Sequence, residues 1–210
     1  MQTIKPELVF DHIAVLAKSV GEGVDYIRDT LGVDVPPGGS HPRMGTHNHL
    51  LSLGPDCFLE IIAIDPDADA PTHPRWFGLD SFVGEPRIGA WVIGSRDIHG
   101  SLIEMQATSG PVIEMKRGEL VWQMSVREDG ALPLSGAFPM VLQWPKGPHV
   151  ARRMSRQDCS FVSLTIASPE TEFITTWLGD RLDDPRIKLI SGETRLTAVI
   201  DTPSGQKVLS

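Results

Sequence analysis

Three stretches of the chain pass in the same way from a strand-like apolar run to apolar residues at helical spacing. The first run is Val9-Phe10-Asp11-His12-Ile13-Ala14-Val15-Leu16-Ala17. Ser19 follows, then Val20, Val24, Ile27 and Leu31, with Gly32 placed to stop the helix. Ser19 and Glu22 have the spacing of a capping box, in which each side chain meets the other residue's free N–H. The second run, 88–94, precedes Ser95 and then Ile98, Leu102 and Met105, which predicts one helix. The third, 161–167, precedes Ser168, Pro169 at a first helical position, and Phe173, Ile174, Trp177 and Leu178. The recurrence is about 75 residues, the kind of period that marks repeated units.

Apolar strands joined by turn residues follow each helix. They are predicted at 46–53 and 57–64 in the first unit and at 120–126 and 138–144 in the second. In the third they fall at 188–190, 196–201 and 207–209, the last two around Thr202-Pro203-Ser204-Gly205. The chain thus reads as an α+β protein of tandem β-α-β-β(-β) modules at about 8–65, 86–145 and 159–210. A module's own helix covers one sheet face, so the other must meet a second module or line a cavity. One cup and a cup with an appended unit both satisfy this pattern. The segments 65–84 and 145–157 read as surface connectors, the first with an aromatic core, Arg75-Trp76-Phe77-Gly78. In the second, Arg152, Arg153 and Arg156 read as a solvated basic face.

Composition narrows the function classes. Hydrophobic residues at 40% and charged residues at 22% match a globular domain and exclude a disordered chain. A formal charge of −8 argues against a nucleic-acid partner. No stretch reaches the roughly 18 apolar residues of a membrane span. The segment 1–10 lacks the features of a signal peptide, so the expected location is the cytoplasm. Cys57 and Cys159 read as free thiols. There is no Gly-x-Ser-x-Gly elbow, phosphate-cradling loop or dinucleotide fingerprint, so no nucleotide cofactor is expected.

Several pieces in order carry a resemblance: Asp11-His12 on the first strand, Gly45-Thr46-His47-Asn48-His49-Leu50-Leu51-Ser52-Leu53-Gly54, and Phe58-Leu59-Glu60-Ile61-Ile62-Ala63. Asp65-Pro66, Pro74-Arg75-Trp76-Phe77-Gly78-Leu79-Asp80, Trp144 and His149 extend it over nearly the whole chain. The sequence resembles the vicinal oxygen chelate superfamily, and within it the glyoxalase-like domain proteins. The resemblance implies one glyoxalase-like domain over 1–210, with paired modules curving a mixed sheet around a cavity and helices on the outer face. It further implies a small-molecule ligand and a homodimer. In metal-using members, the cavity holds a divalent transition metal between His and carboxylate ligands from facing strands. Carried over, His12 and Glu60 match the ligand positions of the first module, and Glu60 the group that moves a proton. A neutral imidazole with a carboxylate suits such an ion, and an open position would polarise a substrate oxygen.

The second module departs from that pattern. Ungapped alignment puts Gly89 and Val162 at the His12 position and Gln143 at the Glu60 position, where Gln143 is a weak neutral donor. Strand register decides the neighbours of Glu60. A three-residue loop at Gly54-Pro55-Asp56 pairs Leu53 with Cys57, sets Leu50 opposite Glu60 and puts Asn48 on the Glu60 face. A four-residue loop sets His49 opposite Glu60 as a third-ligand candidate; the resemblance favours the first. An ionised Glu60 inside an apolar run requires a partner or a cavity. Asn48, Gln143, Trp91 and Trp144 are the expected ligand-lining residues, while His41, His73, His99 and His149 read as surface histidines.

Two functions fit. One is a metal-dependent enzyme, of lyase, isomerase or dioxygenase-like type, acting on a small oxygenated metabolite through His12 and Glu60. The other is a metal-free protein that binds or sequesters an organic molecule, as antibiotic-binding members of the superfamily do. There His12, Asn48 and Glu60 only orient the ligand.

Overall fold

The computed structural model describes residues 7–210. Most of the segment read for a signal peptide therefore lies outside the described residues. Among the described residues, twelve strands form two sheets. The first module contributes β1 (Leu8–Leu16), helix α1 (Val20–Leu31), β2 (Pro37–His41), β3 (Thr46–Ser52) and β4 (Phe58–Ile64). The second contributes β5 (Arg87–Ser95), two one-turn helices α2 (Ile98–Ser101) and α3 (Gln106–Ser109), β6 (Val112–Arg117), β7 (Leu120–Ser125) and β8 (Met140–Gln143). These strands form an eight-stranded mixed sheet in the order β2-β3-β4-β1-β5-β8-β7-β6. The sheet curls until its edges meet: Arg43 on the β2–β3 turn donates to the Glu114 carbonyl of β6 at 3.3 Å. The expected α+β fold, a curved mixed sheet with helices outside, is what is observed.

The third unit is a separate sheet backing the cup. Strands β9 (Ser160–Ala167), β10 (Ile187–Ile190), β11 (Arg195–Thr202) and β12 (Gly205–Leu209) pair in the order β10-β9-β11-β12, with helix α4 (Thr171–Leu178). They join the convex core, where Leu164, Ile174, Trp177 and Ile200 share one cluster with Ile13, Ile27, Leu31, Ile61, Trp91 and Ile93. Phe161 stacks on Phe10 at 4.4 Å and Trp177 meets Phe138 at 4.5 Å. Each such aromatic contact adds about 1 kcal/mol beyond burial.

Helix α1 begins at the expected cap, where of the capping box the Ser19 half is seen, Ser19 Oγ accepting from the Glu22 N–H, and it ends at Gly32 with φ 74°. The predicted helix after β5 is instead split: Asp97, not Ser95, caps α2, and Gly100 and Ser101 are weak helix formers. Helix α4 starts at Thr171 rather than at Pro169, and Ser168 Oγ accepts from the Glu170 N–H just before it. The segment 65–84 is more than a surface connector. Its 3-10 turn Trp76–Ser81 carries Trp76, Phe77 and Leu79 into the concave core, and Trp76 Nε1 donates to Thr46 Oγ1 at 3.1 Å. No helix among the described residues is long and apolar enough to cross a membrane.

Candidate functional site

A bulge creates the centre of the site. Phe10 and Ile13 both face the convex core, three positions apart where regular strand would give two, and the β1–β5 register shifts between Phe10 and His12. Asp11 and His12 are both released from the convex side, and His12 Nδ1 meets Asp11 Oδ1 at 2.6 Å. This leaves His12 Nε2 directed into the cup, 3.5 Å from Glu60 Oε2. Phe58 stacks on the His12 ring at 4.3 Å and fixes its plane.

The strand β4 side follows the three-residue hairpin. Leu53 N bonds Cys57 O, and Leu50 lies opposite Glu60. Asn48 therefore shares the Glu60 face, and its Nδ2 donates to Glu60 Oε1 at 2.5 Å. His49 lies opposite Ile61 and donates from Nδ1 to the Val35 carbonyl at 2.8 Å, so the four-residue register and its third ligand are overturned. Asn48 Oδ1 accepts from Gly39 N at 2.9 Å and from Arg117 Nη1 at 3.3 Å, which ties the two modules together.

Glu60, Asn48 and His12 are 6%, 4% and 4% exposed, so the Glu60 and His12 charges are held by each other and by the Asn48 amide rather than by water. Burial alone would push the His12 imidazolium down, yet its hydrogen bonds to the Asp11 and Glu60 carboxylates, with their charges, outweigh it and carry its pKa up to about 9. Burial likewise works to raise the Glu60 carboxyl, and the His12 hydrogen bond and charge reverse this, so Glu60 stays ionised. Asp11 lies at about 2: burial opposes ionisation, and hydrogen bonds from His12 and His149 overcome it. Its Oδ2 also accepts from Trp144 Nε1 at 2.7 Å and His149 Nε2 at 3.0 Å.

His12, Asn48 and Glu60 border a cavity of about 30 Å³. Apart from Arg117 and His41, the rest of its wall is aromatic and apolar, with Phe58, Trp76, Phe77, Trp122, Met124, Leu142 and Trp144. Beyond Trp144, Asp11 and His149 lies an open groove of about 610 Å³. The smaller cavity is the candidate site, because the buried ionic groups converge on it.

Four sequence-expected residues, His12, Asn48, Glu60 and Trp144, meet at this cavity. Two do not. Trp91 is wholly buried in the convex core, its Nε1 donating to the Ala137 carbonyl at 2.9 Å. Gln143 turns toward the outer groove and accepts from Ile98 N at 2.9 Å, serving the start of α2. The histidine reading is corrected at two places. His41 is 2% exposed, lies beside Thr46 and Asn48, and is pushed down by burial to about 4, hence neutral. His149 is tied to Asp11. Arg117 and Trp122 also line the cavity. Arg152, Arg153 and Arg156 of the 145–157 loop are exposed, as expected of a solvated face, and Arg152 pairs with the exposed Asp56 at 2.8 Å.

A divalent metal held by His12 and Glu60 does not fit this donor set. The Asp11 bond to His12 Nδ1 and the Asn48 bond to Glu60 Oε1 are of the kind that orient metal ligands, but the pair supplies only two donors, His12 Nε2 and Glu60 Oε2. The second module offers no counterpart. Ala90 and Val92 point from β5 into the concave core, and Trp122, Met124, Leu142 and Trp144 form the facing wall. No group of three or more His, Cys, Asp or Glu side chains with metal-binding geometry occurs among the described residues, whereas zinc sites take three or four protein ligands.

One solved structure shares the architecture over most of the chain. A hypothetical protein from Staphylococcus aureus superposes with a TM-score of 0.59 at 15% identity, over 89% of this chain and 87% of that one. A methylmalonyl-CoA epimerase in complex with methylmalonyl-CoA and NH4+ matches with a TM-score of 0.44 at 15% identity, over 68% of this chain and 99% of that one. The methylmalonyl-CoA epimerase from Mycobacterium tuberculosis gives 0.40 at 14% identity, over 66% and 88%. No curated protein sequence matches. The family model described as "Glyoxalase-like domain" matches residues 10–182. The chain therefore belongs to the glyoxalase-like domain family.

Proposed function

We propose that this protein binds a small oxygenated organic molecule in the cup and holds it with fixed charges, without a metal step. The observation that carries this reading is the buried Glu60–His12 pair, 3.5 Å apart on the wall of a largely apolar and aromatic cavity. A buried ion pair is a weak stabiliser, costly to desolvate, so its presence beside a cavity points to use by a ligand. Its charges are fixed. An efficient proton carrier has a pKa near the working pH, whereas His12 is held at about 9 and Glu60 is held ionised. In this reading His12 donates to a ligand carbonyl or hydroxyl oxygen, Glu60 accepts from a ligand hydroxyl, and Trp122 and Trp144 cover the carbon skeleton.

The test is a calorimetric screen of small ketones, diols and hydroxy acids against the native protein and Glu60→Gln. Binding weakened at least about tenfold by the variant supports the reading. Equal binding by both proteins contradicts it. A second reading, proton transfer in a lyase or isomerase, draws on the contact between His12 Nε2 and Glu60 Oε2. It requires that a bound ligand exchange a carbon-bound proton with deuterated solvent at a rate lost in Glu60→Gln.

A further inference from the structure

We propose that Arg117 binds a carboxylate of the cup's ligand, so that the ligand is a short carboxylic acid carrying a second oxygen for Glu60 and His12. This rests on the proposed binding of a ligand in the cup and adds the substrate class. Arg117 ends β6 and reaches across the seam to the first module. Its side chain donates to Asn48 Oδ1, a neutral acceptor, at 3.3 Å. A guanidinium carries five N–H donors in a fork matched to a carboxylate. Arg28, Arg75, Arg127, Arg152 and Arg186 each have an aspartate at 2.9 Å or closer, and of the described arginines without an ion pair Arg117 is the one on the cavity wall. Arg117 lines the cavity and has no carboxylate within salt-bridge distance among the described residues.

The chain also makes room for it. A Cβ built on Gly39 would stand 2.9 Å from Arg117 Cδ, and one on Gly38 would stand 2.2 Å from Asn48 Oδ1. The edge strand β2 thus forms a side-chain-free cradle under the guanidinium and the amide. Asn48 then bridges Arg117 on one side and Glu60 on the other, so the cation and the ionic pair are a single amide group apart. A ligand spanning them needs its carboxylate and second oxygen separated by only a few bonds. Binding exchanges a long bond to a neutral amide for two charge-assisted bonds, the stronger kind.

The experiment is calorimetric titration with pyruvate, lactate and 3-hydroxybutyrate, each beside its amide, against the native protein, Arg117→Gln and Arg117→Lys, with folding checked by circular dichroism. The acids are expected to bind at least about tenfold tighter than the amides, a gap that closes in Arg117→Gln and partly returns in Arg117→Lys. Acids and amides binding alike overturn the Arg117 assignment and leave the cup reading standing. So does binding of neutral ketones or diols while the acids stay silent. Silence of every compound, neutral and acidic, overturns both.

Discussion

Raising the pH should remove a definite part of this protein's stability through one side chain. His12 sits between Asp11 Oδ1 at 2.6 Å and Glu60 Oε2 at 3.5 Å. Burial pulls its pKa down, the two carboxylates pull it up, and the balance is a rise from 6.5 to about 9. The unfolded chain gives up the same proton near 6.5. Between the two values the folded protein holds one more proton than the unfolded, so stability falls as pH rises. The contribution is complete below pH 6.5 and is lost by about pH 9. At about 1.4 kcal/mol per pH unit, the loss across the window is about 3 kcal/mol. For a chain of this size that corresponds to a fall of about 6–12 °C in Tm. Urea unfolding of the native protein and His12→Gln across the window measures it, since other groups titrate alike in both. The variant starts less stable but flatter, and the curves converge toward alkaline pH. Parallel curves would refute the claim that His12 is a buried cation clamped by two carboxylates.

Further outcomes follow from the same geometry. Asp11→Asn removes a buried charge bonded to His12, Trp144 and His149 and should cost about 3–5 kcal/mol in urea unfolding. Because the Asp11 carboxyl is lowered from 3.8 to about 2, its contribution in the native protein is present above pH 3.8 and lost as pH falls through about 2. The acid limb of the stability curve should therefore flatten in the variant. Gly38→Ala drives a methyl against Asn48 Oδ1 and should cost about 1–3 kcal/mol while weakening ligand binding, measured by unfolding and calorimetry together. Titration with Zn2+, Mn2+ or Ni2+ should leave Tm unchanged. A stabilisation abolished in His12→Ala would contradict the donor-set argument.

Much of the first module was legible because its register hangs on a local turn. Gly54-Pro55-Asp56 makes a short hairpin, and this places Leu50 opposite Glu60 and Asn48 beside it. The bulge that frees Asp11 beside His12 left a trace as well, a polar pair within an apolar run. The face of Trp91 was not legible. Strand β5 is buried on both sides, so Ala90-Trp91-Val92-Ile93 shows no alternation to tell convex from concave. His41 was missed because β2 begins Pro37-Gly38-Gly39, an edge strand without apolar pattern. Its burial comes from the closing of the cup over Trp76 and Trp122, a tertiary event. Arg117 was missed for the same reason. The aromatic 3-10 turn was visible as unusual composition, while its descent into the concave core depends on contacts such as Trp76 with Thr46.

The five tryptophans give the most direct test of the central claim, that the ligand occupies the cup. Trp76, Trp122 and Trp144 line it, whereas Trp91 and Trp177 lie in the convex core behind the sheet. Nuclear magnetic resonance of the indole N–H signals during titration with a ligand from the screen separates the two groups. With the ligand in the cup, Trp122 and Trp144 shift in proportion to occupancy while Trp91 and Trp177 stay in place. Shifts confined to Trp91 or Trp177, with Trp122 and Trp144 unmoved at saturation, would put the ligand elsewhere and contradict that claim.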